Sequence, residues 1–456
     1  MSDSIRQMRH NMSFKKTVII ATIAVAIVAV LLAVVPDAVS ADTHEIGEQS
    51  GDFANMAWVA ICSALVFIMT PGVALFYGGM LRKQSMSSII SQTLLGMCVM
   101  GISWFAVGYS LAFSEGNAII GGLDNAFFNG VSASTIGGTN AYVPDLEFAI
   151  FQMTFALITA GIVLGASAER IRYTAVVPFL AVWSILVYAP MAHMVWGGGF
   201  LADLPGGLAT LDFAGGTVVH ICAGATGMAL ALYLGKRSDR TMKRAHSTPM
   251  VFIGCFLLWF GWIGFNGGSG LAANDQAIRA IMVSLIASVF AMAAWAAVQY
   301  LHVGRVGVTG LSAGAVAGLV AITPAAGFVS PLSAAIIGLV GGIVCYFGVI
   351  FMRERSGLDD ALDVMGLHGV GGIWGAIATG LFAEFNLGSA GGLLTTGDWQ
   401  LFAGNIVAVL VTLVFCFVVS YVIIWVIGKL MRVRATEDEE LIGQDLVENG
   451  EPAYVM

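Results

Sequence analysis

Two stretches of the sequence decide the fold: Asp212-Phe-Ala-Gly-Gly-Thr-Val-Val-His220 and Asp363-Val-Met-Gly-Leu-His368. Each begins with an aspartate, passes a glycine and reaches a histidine that is followed four residues later by a glycine, Gly224 or Gly372. Each also opens a long apolar segment. Because an ionisable side chain inside a membrane segment is costly, His220 and His368 are candidate functional residues.

The composition around these stretches indicates a membrane protein. Of the 456 residues, 58% are hydrophobic and only 11% are charged, whereas soluble domains are about 45–50% apolar and about 25% charged. The formal net charge of −8 and the lack of a long basic face exclude a nucleic-acid-binding protein. We therefore predict an all-α polytopic membrane protein, in which frequent glycines let the helices pack closely.

Eleven apolar segments are long enough for transmembrane helices, which need about 20 residues each. Their approximate limits are 53–80, 89–113, 147–168, 174–196, 214–235, 249–268, 277–300, 306–325, 331–352, 364–385 and 401–431.

An earlier apolar segment, about 17–35, has the order of a signal peptide. It follows four basic residues and ends in the small residues Val39-Ser40-Ala41, so we expect residues 1–41 to be a cleaved signal peptide. A retained anchor is the alternative. Residues 42–434 then form the membrane domain, and 435–456 form an acidic tail.

The basic residues predict the orientation of the chain. When the loops are numbered alternately, 15 of the 16 Lys and Arg residues after Ala41 fall on one side, and only Arg279 falls opposite. Positive residues stay cytoplasmic, so we expect the C-terminus inside and the mature N-terminus outside.

The two histidine stretches also predict an inverted repeat. One opens the fifth segment from the outer side, and the other opens the tenth from the inner side, so segments 1–5 and 6–10 form two inverted halves before a final helix. His220 lies about 12 Å along its helix from Asp212, and His368 about 7–8 Å from Asp363. We expect the two imidazoles to meet near the middle of a core about 30 Å thick.

Two neutral imidazoles that share one hydrogen bond leave a donor and an acceptor for a small polar solute or a proton. The alternative is a pair of unrelated, satisfied core histidines. We expect no metal, because no third histidine lies nearby and the tight ligand spacing of a metalloenzyme motif is absent. The six cysteines are interpreted as small buried residues without disulfides.

Asp212 and Asp363 each stand where a helix begins. We expect both carboxylates to accept hydrogen bonds from free backbone N–H groups and so to act as structural residues near the site. Direct binding of a cation by Asp212 is the alternative.

Further motifs lie along the chain in a fixed order: Pro71-Gly-Val-Ala-Leu-Phe-Tyr-Gly-Gly79, Gly165-Ala-Ser-Ala-Glu-Arg170 and Gly261-Trp-Ile-Gly-Phe-Asn-Gly-Gly-Ser269. Together with the two histidine stretches they resemble the ammonium transporter family, in its bacterial Amt branch of the Amt/Rh superfamily. The resemblance implies eleven helices and a homotrimer with one narrow pore per subunit. It places a twin-histidine pair, His220 and His368, in each pore.

The same resemblance implies an outer recruitment site at Phe155, Trp196 and Ser269, and a gate formed by Phe155 and Phe265. It implies transport of ammonium across the cytoplasmic membrane of a bacterium, without a cofactor or enzymatic activity. Ammonium would be recruited outside and deprotonated, and ammonia would pass the histidines with or without its proton.

The tail from Arg434 to Tyr454 also resembles the family, in the segment through which subunits communicate and a PII-type (GlnK-like) regulator acts. One departure is Asn449-Gly-Glu, where His-Gly-Glu is usual. An ammonium sensor with the same fold is the alternative function. Sensors of this kind usually carry a fused cytoplasmic domain, and the chain ends soon after Arg434, so we expect a transporter.

Overall fold

Helices account for the apolar segments, because a backbone inside a lipid bilayer must satisfy its hydrogen bonds within each segment. The computed structural model describes residues 53–136, 140, 142–238, 245–387 and 390–454. Within that part of the chain, β-structure is limited to two isolated bridges. The all-α fold is therefore confirmed, whereas the predicted signal peptide, 1–41, lies outside the described residues.

Among the described residues, ten helices are long and apolar enough to cross a membrane. They are α1 (Phe53–Met80), α2 (Lys83–Phe113), α3 (Asp145–Ser167), α4 (Tyr173–Trp196), α5 (Gly216–Leu234), α6 (Thr248–Gly268), α7 (Asp275–Val303), α9 (Pro331–Glu354), α10 (Met365–Phe382) and α11 (Gln400–Leu430). The eighth predicted segment forms the shorter apolar helix α8 (Val308–Ile322). Because α8 is shorter than a typical span, the count of eleven crossings stays a prediction.

Glycines bring α5 and α10 together at the centre of the molecule. A Cβ atom on Gly224 would lie 2.5 Å from the Cα atom of Gly369, and one on Gly372 would lie 2.8 Å from the carbonyl oxygen of Gly216. Only glycine allows the two backbones to approach so closely. The glycines that follow each histidine in the sequence therefore set the distance between the helices that carry the histidines.

The loops on one side of the helices share a buried ionic network, and we call this side the tail face. Glu169 lies between α3 and α4 and accepts hydrogen bonds from Arg82 Nε and Arg237 Nη1, both at 2.9 Å. Arg237 also pairs with Asp359, at 3.0 Å. Burial disfavours ionisation of Glu169, but the charges of Arg237 and Arg82 more than offset it, so its pKa lies below the usual 4.5.

The acidic tail packs on this face. Its short helix α12 (Glu437–Ile442) begins with a capping box between Thr436 and Glu439. Glu440 is 1% exposed, and its carboxylate accepts hydrogen bonds from Ser238 N at 2.8 Å and Arg434 Nε at 2.7 Å. Part of the acidic tail is therefore docked on the protein, because the Glu440 carboxylate finds donors there.

Tail residues also cap membrane helices. Asp445 accepts a hydrogen bond from Ser88 N at 2.7 Å, in the first turns of α2, and Glu448 accepts one from Tyr173 N at 3.0 Å, at the beginning of α4. Asn449 donates to Ser91 Oγ. The asparagine that departs from the usual family motif thus takes part in docking the tail.

All six cysteines are free. Five are buried, but Cys98 is exposed, so the expectation that all six are buried is wrong for Cys98. Its position on the outward surface of α2 explains the difference.

Replacing Glu169 with Gln is expected to destabilise the protein by about 3 kcal/mol, because it leaves two arginines without their shared carboxylate. Thermal unfolding in detergent measures the loss. Because the pKa of Glu169 is lowered, its contribution is present at neutral pH and is lost as the pH falls through that lowered value. Glu437→Gln, an exposed tail substitution, is the control and should unfold like the wild type. Equal stability of both variants at neutral pH would contradict a structural role for the network.

Candidate functional site

The rings of His220 and His368 meet where α5 and α10 cross. Nδ1 of His368 lies 3.3 Å from Nδ1 of His220, and the ring centroids are 5.3 Å apart at an interplanar angle of 25°. The residues are 0% and 5% exposed. Both belong to π-helical turns, Gly216–Ile221 and Met365–Gly369, a wide turn that is frequent at functional sites.

Asp212 holds the turn that carries His220. Its carboxylate accepts hydrogen bonds from the backbone N–H groups of Gly215 at 2.8 Å, Gly216 at 2.6 Å and Thr217 at 2.8 Å. It also accepts one from the Thr217 hydroxyl. Gly215 has φ 108°, a conformation that favours glycine. These contacts satisfy the free donors at the beginning of the helix.

In the other half this capping role belongs to Asp360. Its carboxylate accepts hydrogen bonds from Val364 N at 2.9 Å and Met365 N at 2.7 Å. Burial raises the pKa of Asp360 to about 6, with a further contribution from Asp363, and the backbone donors oppose the shift. Asp360 stands eight residues before His368, the same spacing as Asp212 to His220.

The prediction that Asp363 caps α10 is therefore wrong. Asp363 has φ 59°, and its carboxylate pairs with Arg353 at the end of α9, where Arg353 Nε donates at 2.8 Å. The carboxylate is thus bonded to α9 and does not take the N–H groups of its own helix.

The histidine pair presents two kinds of hydrogen-bonding group. When one Nδ1 donates to the other in a neutral pair, one Nε2 keeps a lone pair and the other carries hydrogen. Nε2 of His220 is buried and has no hydrogen-bond partner among the described residues. The pair can therefore serve a solute that both donates and accepts.

A narrow cavity lies beside the pair. It offers about 10 Å³ to the centre of a water-sized molecule, about the space that one water needs. Besides the two histidines, its lining is aromatic and aliphatic: Met69, Val73, Phe76, Tyr77, Ile158, Ile162, Leu258, Trp262, Phe265 and Val316. Such a wall gives a small solute few other polar partners.

A row of aromatic rings leads from the histidine pair toward the surface opposite the tail face. The ring centroid of Phe265 lies 6.0 Å from that of His220, and the centroid of Phe155 lies 4.2 Å from that of Phe265, with an interplanar angle of 31°. Both phenylalanines are at most 1% exposed. Trp196 stands at 90° to Phe155, 6.3 Å away, and is only partly buried. The rings therefore form a stack between the cavity and the surface opposite the tail face.

Ser269 is joined to this stack by a hydrogen bond to Phe265. Its hydroxyl donates to the carbonyl oxygen of Phe265 at 2.8 Å, which leaves the lone pairs of the hydroxyl free to accept a hydrogen bond. Trp196 is fixed by a hydrogen bond from its Nε1 to the carbonyl oxygen of Asp212 at 2.9 Å. Asp212 thus joins the turn of His220 to the indole of Trp196.

Sequence reasoning missed Trp262 as well as Asp360. The Trp262 ring stacks on His220 at 5.4 Å and 21°, and its Nε1 donates to Thr323 Oγ1 at 2.9 Å. Its place three residues before Phe265 could have revealed it, because such residues share a helix face. Within the described residues, no group of three His, Cys, Asp or Glu side chains could hold a metal ion.

The model of the Ammonium Transporter Family matches residues 57–454. The chain belongs to the Ammonium Transporter Family. It is 46% identical to an ammonium transporter of Bacillus subtilis over 407 residues, which cover 89% of this chain and 99% of the relative. The crystal structure of Saccharomyces cerevisiae Mep2 matches with a TM-score of 0.80 and 34% identity, covering 87% of this chain and 92% of Mep2. A sensor Amt protein matches with a TM-score of 0.79 and 28% identity, covering 87% of this chain and 98% of that protein. The recognition of the family from its motifs is therefore confirmed.

The two capping aspartates give a paired prediction. Asp212→Ala and Asp360→Ala should each lower stability by about 0.5–2 kcal/mol or more, because each uncaps a helix. The Asn variants keep an accepting oxygen and should lose less. Thermal unfolding measures all four variants, with the exposed Asp124→Asn as control.

Wild-type stability of both Ala variants would contradict the capping account. If Asp212→Asn were stable but no longer bound ammonium, the charge of Asp212 would have a direct role in binding.

Proposed function

We propose that this multi-pass membrane protein transports ammonium. The observation that carries the proposal is the buried His220–His368 pair in a narrow apolar cavity behind the Phe155–Phe265 stack, in a chain of the Ammonium Transporter Family. The cavity has room for one small molecule, and the pair has one donor and one acceptor for it.

Recruitment takes place at the partly exposed end of the stack. The faces of Trp196 and Phe155 attract a small cation, and the Ser269 hydroxyl accepts a hydrogen bond from it. Phe155 and Phe265 form the gate. An ion must lose its hydrating water to pass between these rings, and that loss costs a large free energy. Hydrated ions are therefore excluded at the gate.

Ammonium has a route that potassium lacks, because it can give up its proton. Neutral ammonia then crosses the aliphatic part of the cavity at low cost, guided by the Nε2 atoms of His220 and His368. The proton either stays outside or follows a separate path along the pair, and both forms of transport use the same residues.

The membrane setting follows from the charge pattern. We propose that the tail face is cytoplasmic in the inner membrane of a bacterium, after removal of residues 1–41, with eleven crossings. We also propose a homotrimer. Exposed aromatic side chains along α6, Phe252, Phe256 and Phe260, are each about half exposed and require lipid or a neighbouring subunit as cover.

An ammonium sensor is the second candidate, favoured by the match to a sensor Amt protein. The two functions differ in flux. A transporter moves ammonium into sealed proteoliposomes, whereas a pure sensor binds it without sustained uptake.

His220→Ala and His368→Ala are each expected to abolish selective ammonium uptake into proteoliposomes while the protein stays folded, because each removes half of the donor–acceptor pair. Replacement with Asp should change selectivity differently from Ala, since it introduces a carboxylate. His302→Ala is the control, because His302 lies at the exposed end of α7 and should leave uptake unchanged. Full, selective uptake by both pair variants would rule out the twin-histidine mechanism.

We further propose that the docked tail regulates transport and binds a PII-type regulator. Truncation after Arg434 removes Glu440 and Asp445, so transport activity should change and inhibition by a PII-type partner should be lost, while the membrane domain stays inserted. Uptake with and without the partner measures both effects. An unchanged rate with intact inhibition would dismiss the idea, and a chain that fails to assemble would give the tail a structural role only.

A further inference from the structure

His193, in the last turn of α4, makes two hydrogen bonds that one neutral imidazole cannot make together. Its Nδ1 lies 3.0 Å from the carbonyl oxygen of Ala112, and its Nε2 lies 2.8 Å from the carbonyl oxygen of Asn117. Carbonyl oxygens only accept, so both bonds form only when both ring nitrogens carry hydrogen. That form is the imidazolium cation.

The surroundings of His193 suit a positive charge. Ala112 belongs to the last turn of α2, which ends at Phe113, and His193 itself lies in the last turn of α4, which ends at Trp196. The ring therefore lies at the carbonyl end of α2, and helix C-termini favour cations. The residue is 2% exposed, so water does not replace these partners.

The elements packed around His193 carry several other titratable groups: Tyr109 on α2, Glu115 just after α2, Tyr188 on α4, and Asp212 and His220 at the beginning of α5. The hydrogen bonds of the His193 ring go to the two carbonyl oxygens and not to these groups. His193 makes no ion pair within the described part of the chain, so the two carbonyls are its polar partners there.

Through these bonds His193 fixes the chain around Trp196. The segment 112–118 accepts both bonds from the ring, and its Ala118 carbonyl accepts a further bond from Phe200 N at 2.8 Å. Gly197 N and Gly199 N donate to the carbonyl oxygen of His193 at 3.0 and 2.9 Å. Trp196 is therefore held in a turn that is tied to the segment 112–118 on both sides.

We propose that His193 is a buried imidazolium that positions Trp196, so that recruitment of a small cation weakens when His193 loses its proton. The functional half of this proposal rests on the ammonium transport proposed above. Loss of the proton turns one N–H donor into a lone pair that faces a carbonyl oxygen. The turn then loosens on one side, so the Nε1 bond of Trp196 to the carbonyl oxygen of Asp212 holds the indole against Phe155 with less support from the backbone.

The protonation state can be measured without any transport assay. Full-length protein labelled with ¹⁵N-histidine is studied in lipid bilayers by solid-state NMR, and the difference from His193→Gln assigns the signals. In acid solution both ring nitrogens of His193 should carry hydrogen, and raising the pH should remove one of them. A neutral tautomer at every pH would overturn the proposal, whatever the transport result.

The pH profile of KM then tests the positioning role. For the wild type, KM for ammonium should rise about fivefold as His193 loses its proton, with little change in kcat, the loss expected for one charge-assisted bond. His193→Gln keeps amide donors but has no charge, so its profile should be flat across this range. His302→Gln is the matched control, because Nδ1 of His302 contacts the Tyr346 hydroxyl, which can donate or accept.

A double variant shows whether His193 acts through Trp196. In a Trp196→Leu background, adding His193→Gln should change KM no further, because the residue that it positions is absent. An additive effect, or a His193→Gln profile equal to that of the wild type, would overturn the positioning role. If His193→Gln does not assemble, His193→Asn keeps an amide donor and takes its place.

Discussion

The 3.3 Å contact between the Nδ1 atoms of His220 and His368 depends on how closely two helices can cross. Glycines at the α5–α10 crossing bring the backbones together, and a carboxylate at the beginning of each helix holds the turn that carries the histidine. Because each Nδ1 is used by the other ring, the Nε2 atoms remain for a solute. The hydrogen-bonding groups that the cavity offers are thus determined by glycines and carboxylates that lie outside the imidazole rings.

Much of this arrangement could be predicted from the sequence. The limits of the apolar segments agree with those of the helices to within three residues, except that α2 begins six residues earlier, because a membrane allows helical segments and little else. The meeting of His220 and His368 followed from the rise per residue and the opposite entry of their segments. The glycine four residues after each histidine was visible as a pattern, although its packing role was not.

Other features depended on contacts that no local pattern records. Asp363 opens the apolar segment of α10 and was predicted to cap it, but its left-handed backbone conformation and a basic partner on α9 direct its carboxylate elsewhere. The equal spacing of eight residues from Asp212 and Asp360 to their histidines is the sequence signal that points to Asp360. The tail contacts of Glu440 and Asp445, and the two carbonyl partners of His193, join residues far apart in the sequence and required the structure.

The central claim is that the cavity passes ammonium and excludes ions that cannot lose a proton. The most direct measurement is current and isotope uptake in proteoliposomes that contain the wild-type protein, with ammonium compared against potassium at equal gradients. We predict saturable uptake with ammonium and none above protein-free vesicles with potassium. Equal uptake of potassium, or no uptake of ammonium by correctly inserted protein, would contradict the account.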